Sequence, residues 1–376
     1  MPIQIIESEE RFLELEPAWR KLHASSPTAH LFNGFDWLHA WWLAFARPGD
    51  TLRIYGVRRE GRLIGLLPLY RPERTPGPRG LTEPRLLRTF FNHYLGRTDL
   101  LSIPDPNVTL ELLTALAEDR DHYDVCQLDQ LPEASPTFSA LAGVLPPGLA
   151  VHAVRNLSSP YLPLTGSYEA WYQERYSSRR RQQDRRRLRN AEKLGPTRLE
   201  VLKEPEAVKL AFERGLVVEA KSWKGKEESA IAQDPRTATF MRTVVARYAE
   251  RGQVRLIELS IGEAQAAFLL GFVEGGCFYF HKTGYDPAFE EVSPGRQVLL
   301  RSLEQAFGEG LHRYDFLGAP DPYKLECSPL LQPHATAFLY PEGLRAQLFR
   351  QLKRAWVPGW RRLRGQAQPF EPRIDR

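Results

Sequence analysis

Three stretches of the chain carry side chains that can do chemistry together. In the run CFYFHKTGY, residues 277–285, strand alternation sets Cys277, Tyr279, His281, Thr283 and Tyr285 on one face. His281 titrates near neutrality and qualifies as a general base, although a lone strand histidine is also a common packing residue. A little further on, SPGRQV, residues 293–298, opens an amphipathic helical pattern. The first N–H groups of a helix have no intrahelical partner, and the aligned peptide dipoles leave partial positive charge there, so anions bind at such ends. Pro294 turns the chain, and Gly295 admits a ligand to the backbone without a Cβ in the way. Arg296 adds a full charge beside the N–H groups of Gln297 and Val298, an arrangement that suits a pyrophosphate. The same residues also read as an ordinary helix start, with Ser293 as cap and Pro294 in the first turn. Finally, RYDFLG puts Asp315 on the strand after that helix, where open mixed sheets place ligand groups; half-buried strand aspartates also anchor loops.

These side chains need a scaffold, and the hydrophobic pattern supplies one. Helical periodicity covers residues 8–24, 35–46 and 106–118 in the first half, with strand-like runs TLRIYGVRRE and RLIGLLPLY pairing around Gly61 as a hairpin. Strand material follows near residues 85–91 and 99–103, and YDVCQLDQL reads as a further strand. RPERTPGPRG, residues 71–80, reads as an exposed loop. In the second half, helices are expected over residues 167–193, 205–220 and 235–251. The runs VRLIELSI, QAAFLLGFVEG and CFYFHKTGYD then give three antiparallel strands, and the helix after SPG leads to the strands RYDFLG and HATAFLY. The two halves echo each other in hairpin pattern and in the pairs His122-Tyr123-Asp124 and Arg313-Tyr314-Asp315, as a duplicated unit would, and as two ordinary hairpins also can. The expected class is mixed α/β, two tandem units of mostly antiparallel sheet flanked by helices. The expected domains are 1–165, 166–345 and a basic tail, 346–376.

Composition narrows the functional classes. The 376 residues, 42% apolar and 11% aromatic, exceed the usual size of one core and give each half enough to bury its own. The start MPIQIIESEERF lacks the pattern of a signal peptide, and the longest apolar run, WLHAWWLAFA, is too short for a bilayer span, so a cytoplasmic location is expected. Three widely spaced cysteines indicate neither a disulfide framework nor a zinc site, and no metal is expected. There is no GxSxG, no P-loop, no GxGxxG after a strand and no HExxH, so hydrolase, nucleotide-driven and metalloprotease classes lose their usual signals.

The order of three strands, an SPG helix and a further strand resembles the Gcn5-related N-acetyltransferase (GNAT) family. The run from Tyr279 to Asp286, the SPG of Ser293 to Gly295, the D-F-x-x-G of Asp315 to Gly318, and Tyr323-Lys324 are similar to the CelD/BcsL branch of that family. The match covers about residues 167–340, and FNGFDWLHAWW and LIGLLPLY resemble the branch's degenerate amino-terminal unit. The resemblance implies an acyltransferase in which an amine or hydroxyl attacks a thioester directly, with acetyl-coenzyme A or another acyl-coenzyme A as donor and a small-molecule or glycan-linked acceptor. It implies a setting such as envelope or exopolysaccharide synthesis. It also implies relatives among the Fem-type aminoacyl transferases, and hence an aminoacyl-tRNA donor as the alternative. VSPGRQV has one glycine where the usual fingerprint has two, which leaves acetyl, longer acyl and carrier-bound donors open. In this frame Ser293, Pro294, Gly295, Arg296, Gln297 and Val298 hold the donor, while Asp315, His281, Tyr285 and Tyr323 are the catalytic candidates. Lys324, Tyr279, Glu219 and Trp223 contact substrate, Lys324 through a carboxylate or donor oxygen. Trp223 is also a reasonable core residue. A duplicated fold that has lost its chemistry and serves assembly is the non-enzymatic alternative.

Two basic stretches stand apart. Seven arginines between Arg179 and Arg189 read first as a solvated helix face, and second as a surface for nucleic acid. RQLKRAWVPGWRRLRG near the carboxy terminus reads as a basic amphipathic helix broken at Pro358-Gly359, with Trp356 and Trp360 as packing or membrane-interface anchors.

Overall fold

The structure, a computed structural model, describes residues 3–73, 83–92, 96–221, 231–351 and 374–375. The loop expected at 71–80 falls mostly outside these residues, as do Trp223, Trp356 and Trp360. The chain divides into two compact units. One holds Met1–Leu38, Ala46–Ser158 and Gln332–Arg376, and the other His39–Phe45 and Ser159–Leu331. Both are mixed α/β, built of mostly antiparallel sheet flanked by helices.

The first unit begins with β1 (Ile3–Ile6), α1 (Glu9–Glu14), α2 (Glu16–Ser25) and the start of α3 (Phe35–Phe45). One helix was expected over residues 8–24, but Pro17 in the first turn of α2 cannot donate to the turn before it, so the helix restarts. Strands β2 (Thr51–Arg59) and β3 (Arg62–Arg71) form the expected hairpin, with Arg59 opposite Arg62. Then come β4 (Leu86–Arg88), β5 (Leu101–Ser102), α4 (Pro106–Glu118), β6 (Val125–Pro132), α5 (Pro136–Ala142) and β7 (Leu149–Pro163). Asp105 caps α4 by accepting from the N–H of Asn107, and β4 runs parallel to β6, with Leu86 opposite Val125.

The second unit holds α6 (Tyr168–Arg175), α7 (Ser178–Leu194), β8 (Thr197–Leu202), α8 (Pro205–Lys221) and α9 (Pro235–Glu250). The single helix expected over 167–193 splits at Tyr176-Ser177, where Tyr176 is extended and the Ser177 side chain caps α7. The meander β9 (Val254–Ile261), β10 (Ala264–Glu274), β11 (Cys277–Tyr285) follows as expected. Gly275 and Gly276 make the two-residue turn between β10 and β11, both at positive φ (53° and 70°), which favours glycine. Helix α10 (Pro294–Gly308), β12 (Arg313–Asp315) and α11 (Pro322–Leu325) complete the unit before β13 (Leu331–Pro341).

In the first unit the strand order is β1-β2-β3-β4-β6-β13-β7, and in the second it is β7-β12-β11-β10-β9-β8. Strand β7 therefore gives its first part to one unit and its last residues to the other, where Tyr161 pairs with Asp315. The order of two antiparallel strands, a third, a helix and a strand parallel to the third occurs in both units. In the second, α10 lays Val298, Leu299 and Leu303 on the face of the sheet that carries Ala267, Leu269, Phe278 and Phe280.

Candidate functional site

Strands β11 and β12 are parallel for three positions only: Cys277 opposite Arg313, Phe278 opposite Tyr314 and Tyr279 opposite Asp315. Beyond them β12 ends, and the N–H of Phe316 turns away to the carbonyl of Pro160 at 3.0 Å. Strand β11 continues to Tyr285, so among the described residues no strand pairs with its 280–285 edge on that side. The two strands thus open into a notch.

A bulge sits in β11 beside this notch. Leu270 is opposite Lys282 but Gly271 is opposite Phe280, which leaves His281 as the extra residue. The bulge overturns the single face expected from alternation. Side chains that pair across an antiparallel ladder share a face, so Phe278, Phe280, Thr283 and Tyr285 lie on the side covered by α10, while Cys277, Tyr279, Lys282 and Gly284 lie on the other. His281 belongs to this second side, its ring edge-on to Phe272 at 5.5 Å, and Phe272 in turn packs on Tyr248 of α9. Asp315, opposite Tyr279, shares that side. Tyr285 does not join them.

At the start of α10, Ser293 is left-handed (φ 49°, ψ 58°) and its side chain makes no capping bond, contrary to the cap reading. Its carbonyl instead accepts from the N–H groups of Arg296 (3.1 Å) and Gln297 (3.3 Å). Pro294 and Val298 are buried in the helix–sheet packing. A Cβ placed on Gly295 would meet only the Tyr285 ring, at 3.4 Å, an ordinary contact, and the residue is helical. Nothing within the protein requires glycine there, and glycine in a helix is less favourable than alanine by about 1 kcal/mol. The space beside half-buried Gly295 is otherwise open.

Arg296 departs from its expected role. Its guanidinium forms two bonds with the Asp184 carboxylate, 2.7 and 2.9 Å, a third with Glu326 at 3.3 Å, and lies over the Tyr176 ring at 4.6 Å. Burial alone would lower its ionisation, but the bonds and charge of Asp184 outweigh this and hold it above the usual arginine range. Gln297 is also engaged, donating to the Asp184 carbonyl at 3.3 Å. The guanidinium is therefore committed to protein acids and not held out to a ligand.

Two further candidates have internal partners. Asp315 is fully buried, accepts from the N–H of left-handed Leu317 (φ 51°) at 3.0 Å and pairs with Arg313 at 3.3 Å. An ammonium has three protons to donate, and Lys324 directs its own to the carbonyls of Leu317 (3.0 Å) and Ala319 (3.1 Å) and to Asp321 (2.8 Å). Lys324 braces the 315–324 loop from within. Tyr323, 41% exposed, sets its ring edge-on to Phe280 at 6.3 Å, beside the notch.

On the opposite side, fully buried Glu219 of α8 pairs with Lys282 at 2.9 Å and accepts from the N–H of Ile231 at 3.1 Å. Sequence reasoning singled out Glu219 but missed Lys282, whose alternation pattern gave no sign that the bulge would turn it toward α8. It also missed Asp184, hidden as the acid within an arginine run. On α7, Arg180 pairs with Glu326, whereas Arg179, Arg185, Arg186, Arg187 and Arg189 form no ion pair among the described residues. No described helix is long and apolar enough to cross a membrane.

Residues 178–325 match the family described as an acetyltransferase (GNAT) domain. The fold is similar to the crystal structure of FemX, at 14% identity and a TM-score of 0.56 over 93% of this chain and 99% of that one. It is also similar to a conserved protein of unknown function from Bacteroides thetaiotaomicron (12%, TM-score 0.52, 90% and 100% covered). A third similar structure is the C-terminal domain of a putative lysylphosphatidylglycerol synthetase from Agrobacterium fabrum (11%, TM-score 0.50, 87% and 92% covered). No curated protein matches the chain.

Proposed function

We propose that this GNAT-type acyltransferase takes an acyl-coenzyme A donor in the notch between β11 and β12 and passes the acyl group directly to an amine or hydroxyl acceptor. The observation that carries this reading is the coincidence of three features: a splayed parallel strand pair, a bulge at the splay, and a helix N-terminus whose Gly295 the protein itself does not require. In this reading the N–H of Gly295 receives the pyrophosphate, those of Arg296 and Gln297 being taken by the Ser293 carbonyl. The unpaired 280–285 edge of β11 receives the amide-bearing arm of the donor as a strand would, and the backbone freed at the His281 bulge faces the thioester carbonyl.

The thioester supplies a carbonyl with a good leaving group, so no covalent enzyme intermediate is needed. His281 takes the proton as the acceptor nitrogen or oxygen bonds to the carbonyl carbon. As the carbon–sulfur bond breaks, Tyr323 or Tyr285, both on the α10 side, donates a proton to the thiolate. Asp315 holds the loop after β12 rather than acting as base. Tyr279, Glu219 and Lys282 shape the acceptor side, on which Trp223 is also proposed. Location in the cytoplasm, an acceptor in envelope or exopolysaccharide synthesis, and domain limits near 165 and 345 belong to the same proposal.

A donor carried by tRNA is the second reading, favoured by the six arginines of α7 that have no acid partner among the described residues. Thermal unfolding in acetyl-coenzyme A tests the first. A ligand at 100 times its Kd stabilises by about 2.7 kcal/mol, so a clear rise in Tm is expected. No shift with acetyl-, long-chain acyl- or free coenzyme A would reject it.

A further inference from the structure

Strand β7 borders the notch on the side opposite β11. Tyr161 pairs with Asp315, and the N–H of Phe316 bonds to the carbonyl of Pro160 at 3.0 Å, so the ladder runs one residue past β12 and brings Ser159 level with Leu317. Residues two apart on a strand share a face, so Ser159 lies on the side of Tyr161, Asp315 and Tyr279. Tyr279, Asp315 and Tyr161 form one row across three strands. The next row on that side is His281, Leu317 and Ser159. Leu317 drops out of it, because its backbone is left-handed (φ 51°) and its N–H turns back to the Asp315 carboxylate at 3.0 Å. His281 and Ser159 therefore flank the notch on the side away from α10.

The hydroxyl of Ser159 does nothing for the fold. Ser159 is 1% exposed, and its Oγ has no hydrogen-bond partner among the described residues. Buried hydroxyls are nearly always bonded, since leaving water without a new partner costs stability. Alanine would fill the same space without that cost. The residues around it hold one another in place: the Arg313 guanidinium lies over the Tyr161 ring at 4.0 Å, and Asp315 takes both Arg313, at 3.3 Å, and the Leu317 N–H. The backbone that carries Ser159 is thus fixed, while its hydroxyl, at once a donor and an acceptor, is left for a group that enters the notch.

We propose that Ser159 contacts the acceptor: its hydroxyl holds the nucleophilic nitrogen or oxygen across the notch from His281. This rests on the reading of the notch as the place of acyl transfer. An amine presents one N–H to His281 and another to Ser159 Oγ, which leaves its lone pair directed at the thioester carbonyl carbon. A hydroxyl acceptor gives its proton to His281 and accepts a hydrogen bond from Ser159. As the bond to the carbonyl carbon forms, the proton passes to His281, the carbon–sulfur bond breaks, and the thiolate takes its proton from a tyrosine on the α10 side. Ser159 gains and loses no proton in this step. It orients the nucleophile, so its effect falls on the acceptor and not on the donor.

The test uses the full chain, with acetyl-coenzyme A as donor and ethanolamine as acceptor probe; hydrolysis of acetyl-coenzyme A, with water as acceptor, is read alongside. Ser159→Ala is expected to lower kcat/KM for ethanolamine about tenfold, the size of one lost hydrogen bond, and to slow hydrolysis as well. The Kd of acetyl-coenzyme A, from calorimetry, is expected to stay within about twofold. Because the substitution leaves no protein group without its partner, Tm is expected to be unchanged or higher. Unchanged rates with both acceptors would overturn the proposal, as would a weakened donor Kd, which would set the hydroxyl against the donor. A lower Tm would overturn it too, since the hydroxyl would then serve the fold. If the wild type binds no acetyl-coenzyme A, the reading of the notch falls on its own, and a lower Tm in Ser159→Ala still decides against Ser159 separately.

Discussion

Lys324 donates to the carbonyl of Leu317 at 3.0 Å, across a loop in which Leu317 holds a left-handed backbone and Asp315 caps its N–H. The lysine therefore stabilises the turn after β12 with all three of its protons. Lys324→Ala is expected to cost about 2 kcal/mol of folding stability, since two carbonyls and Asp321 lose their donor. Urea unfolding measures this, and the donor KM of whatever protein remains folded should change less than twofold. A raised KM with unchanged stability would return Lys324 to substrate binding.

Gly295 separates folding from binding. A methyl group there makes only an ordinary contact with Tyr285, and alanine is the better helix former, so Gly295→Ala is expected to fold as well as the wild type or better by up to about 1 kcal/mol. The same methyl group stands where the ligand approaches. Thermal shifts with and without coenzyme A should show an unchanged or higher Tm in the apo protein and a smaller ligand-induced rise.

Parts of this site are legible in the sequence, and the limits have physical causes. The meander, the SPG helix and the strand after it follow from periodicity and turn residues, which are local. The bulge at His281 is not local: it depends on how many residues of β10 oppose β11, and it reverses which side chains share a face. The pairing of Arg296 with Asp184 spans 112 residues, and nothing near either marks the partner. Strand β7 went unread because Asn156, Ser158, Ser159 and Pro160 interrupt any alternation in Leu149–Pro163.

The arginines of α7 distinguish the two donors. Arg185 and Arg186 are exposed and form no ion pair among the described residues, so Arg185→Gln/Arg186→Gln is expected to shift stability by under about 0.5 kcal/mol. With an acyl-coenzyme A donor, kcat/KM should stay within about twofold. A large loss coupled to steep salt dependence would instead support the tRNA-borne donor.

Asp99, in the first unit, gives a pH signature. Burial raises its carboxyl to about 7, against hydrogen bonds from Thr137 and Ser135 that pull it down. A folded-state value above the unfolded one means that its contribution is complete below the unfolded pKa of about 4 and is lost as pH rises toward 7. Wild-type stability should therefore decline over that window through this group, and Asp99→Asn should flatten the decline. Parallel slopes for the two proteins in urea unfolding at pH 4 to 8 would show that Asp99 titrates normally.

Calorimetric titration of acetyl-coenzyme A into the wild type and into Gly295→Asp tests the central claim most directly. A carboxylate at residue 295 places negative charge where the pyrophosphate is received, while leaving the helix start favourable for folding. The account predicts one site per chain in the wild type and no measurable binding in a folded Gly295→Asp variant. Equal binding by both proteins, or no binding of any acyl-coenzyme A to the wild type at millimolar concentration, would contradict it.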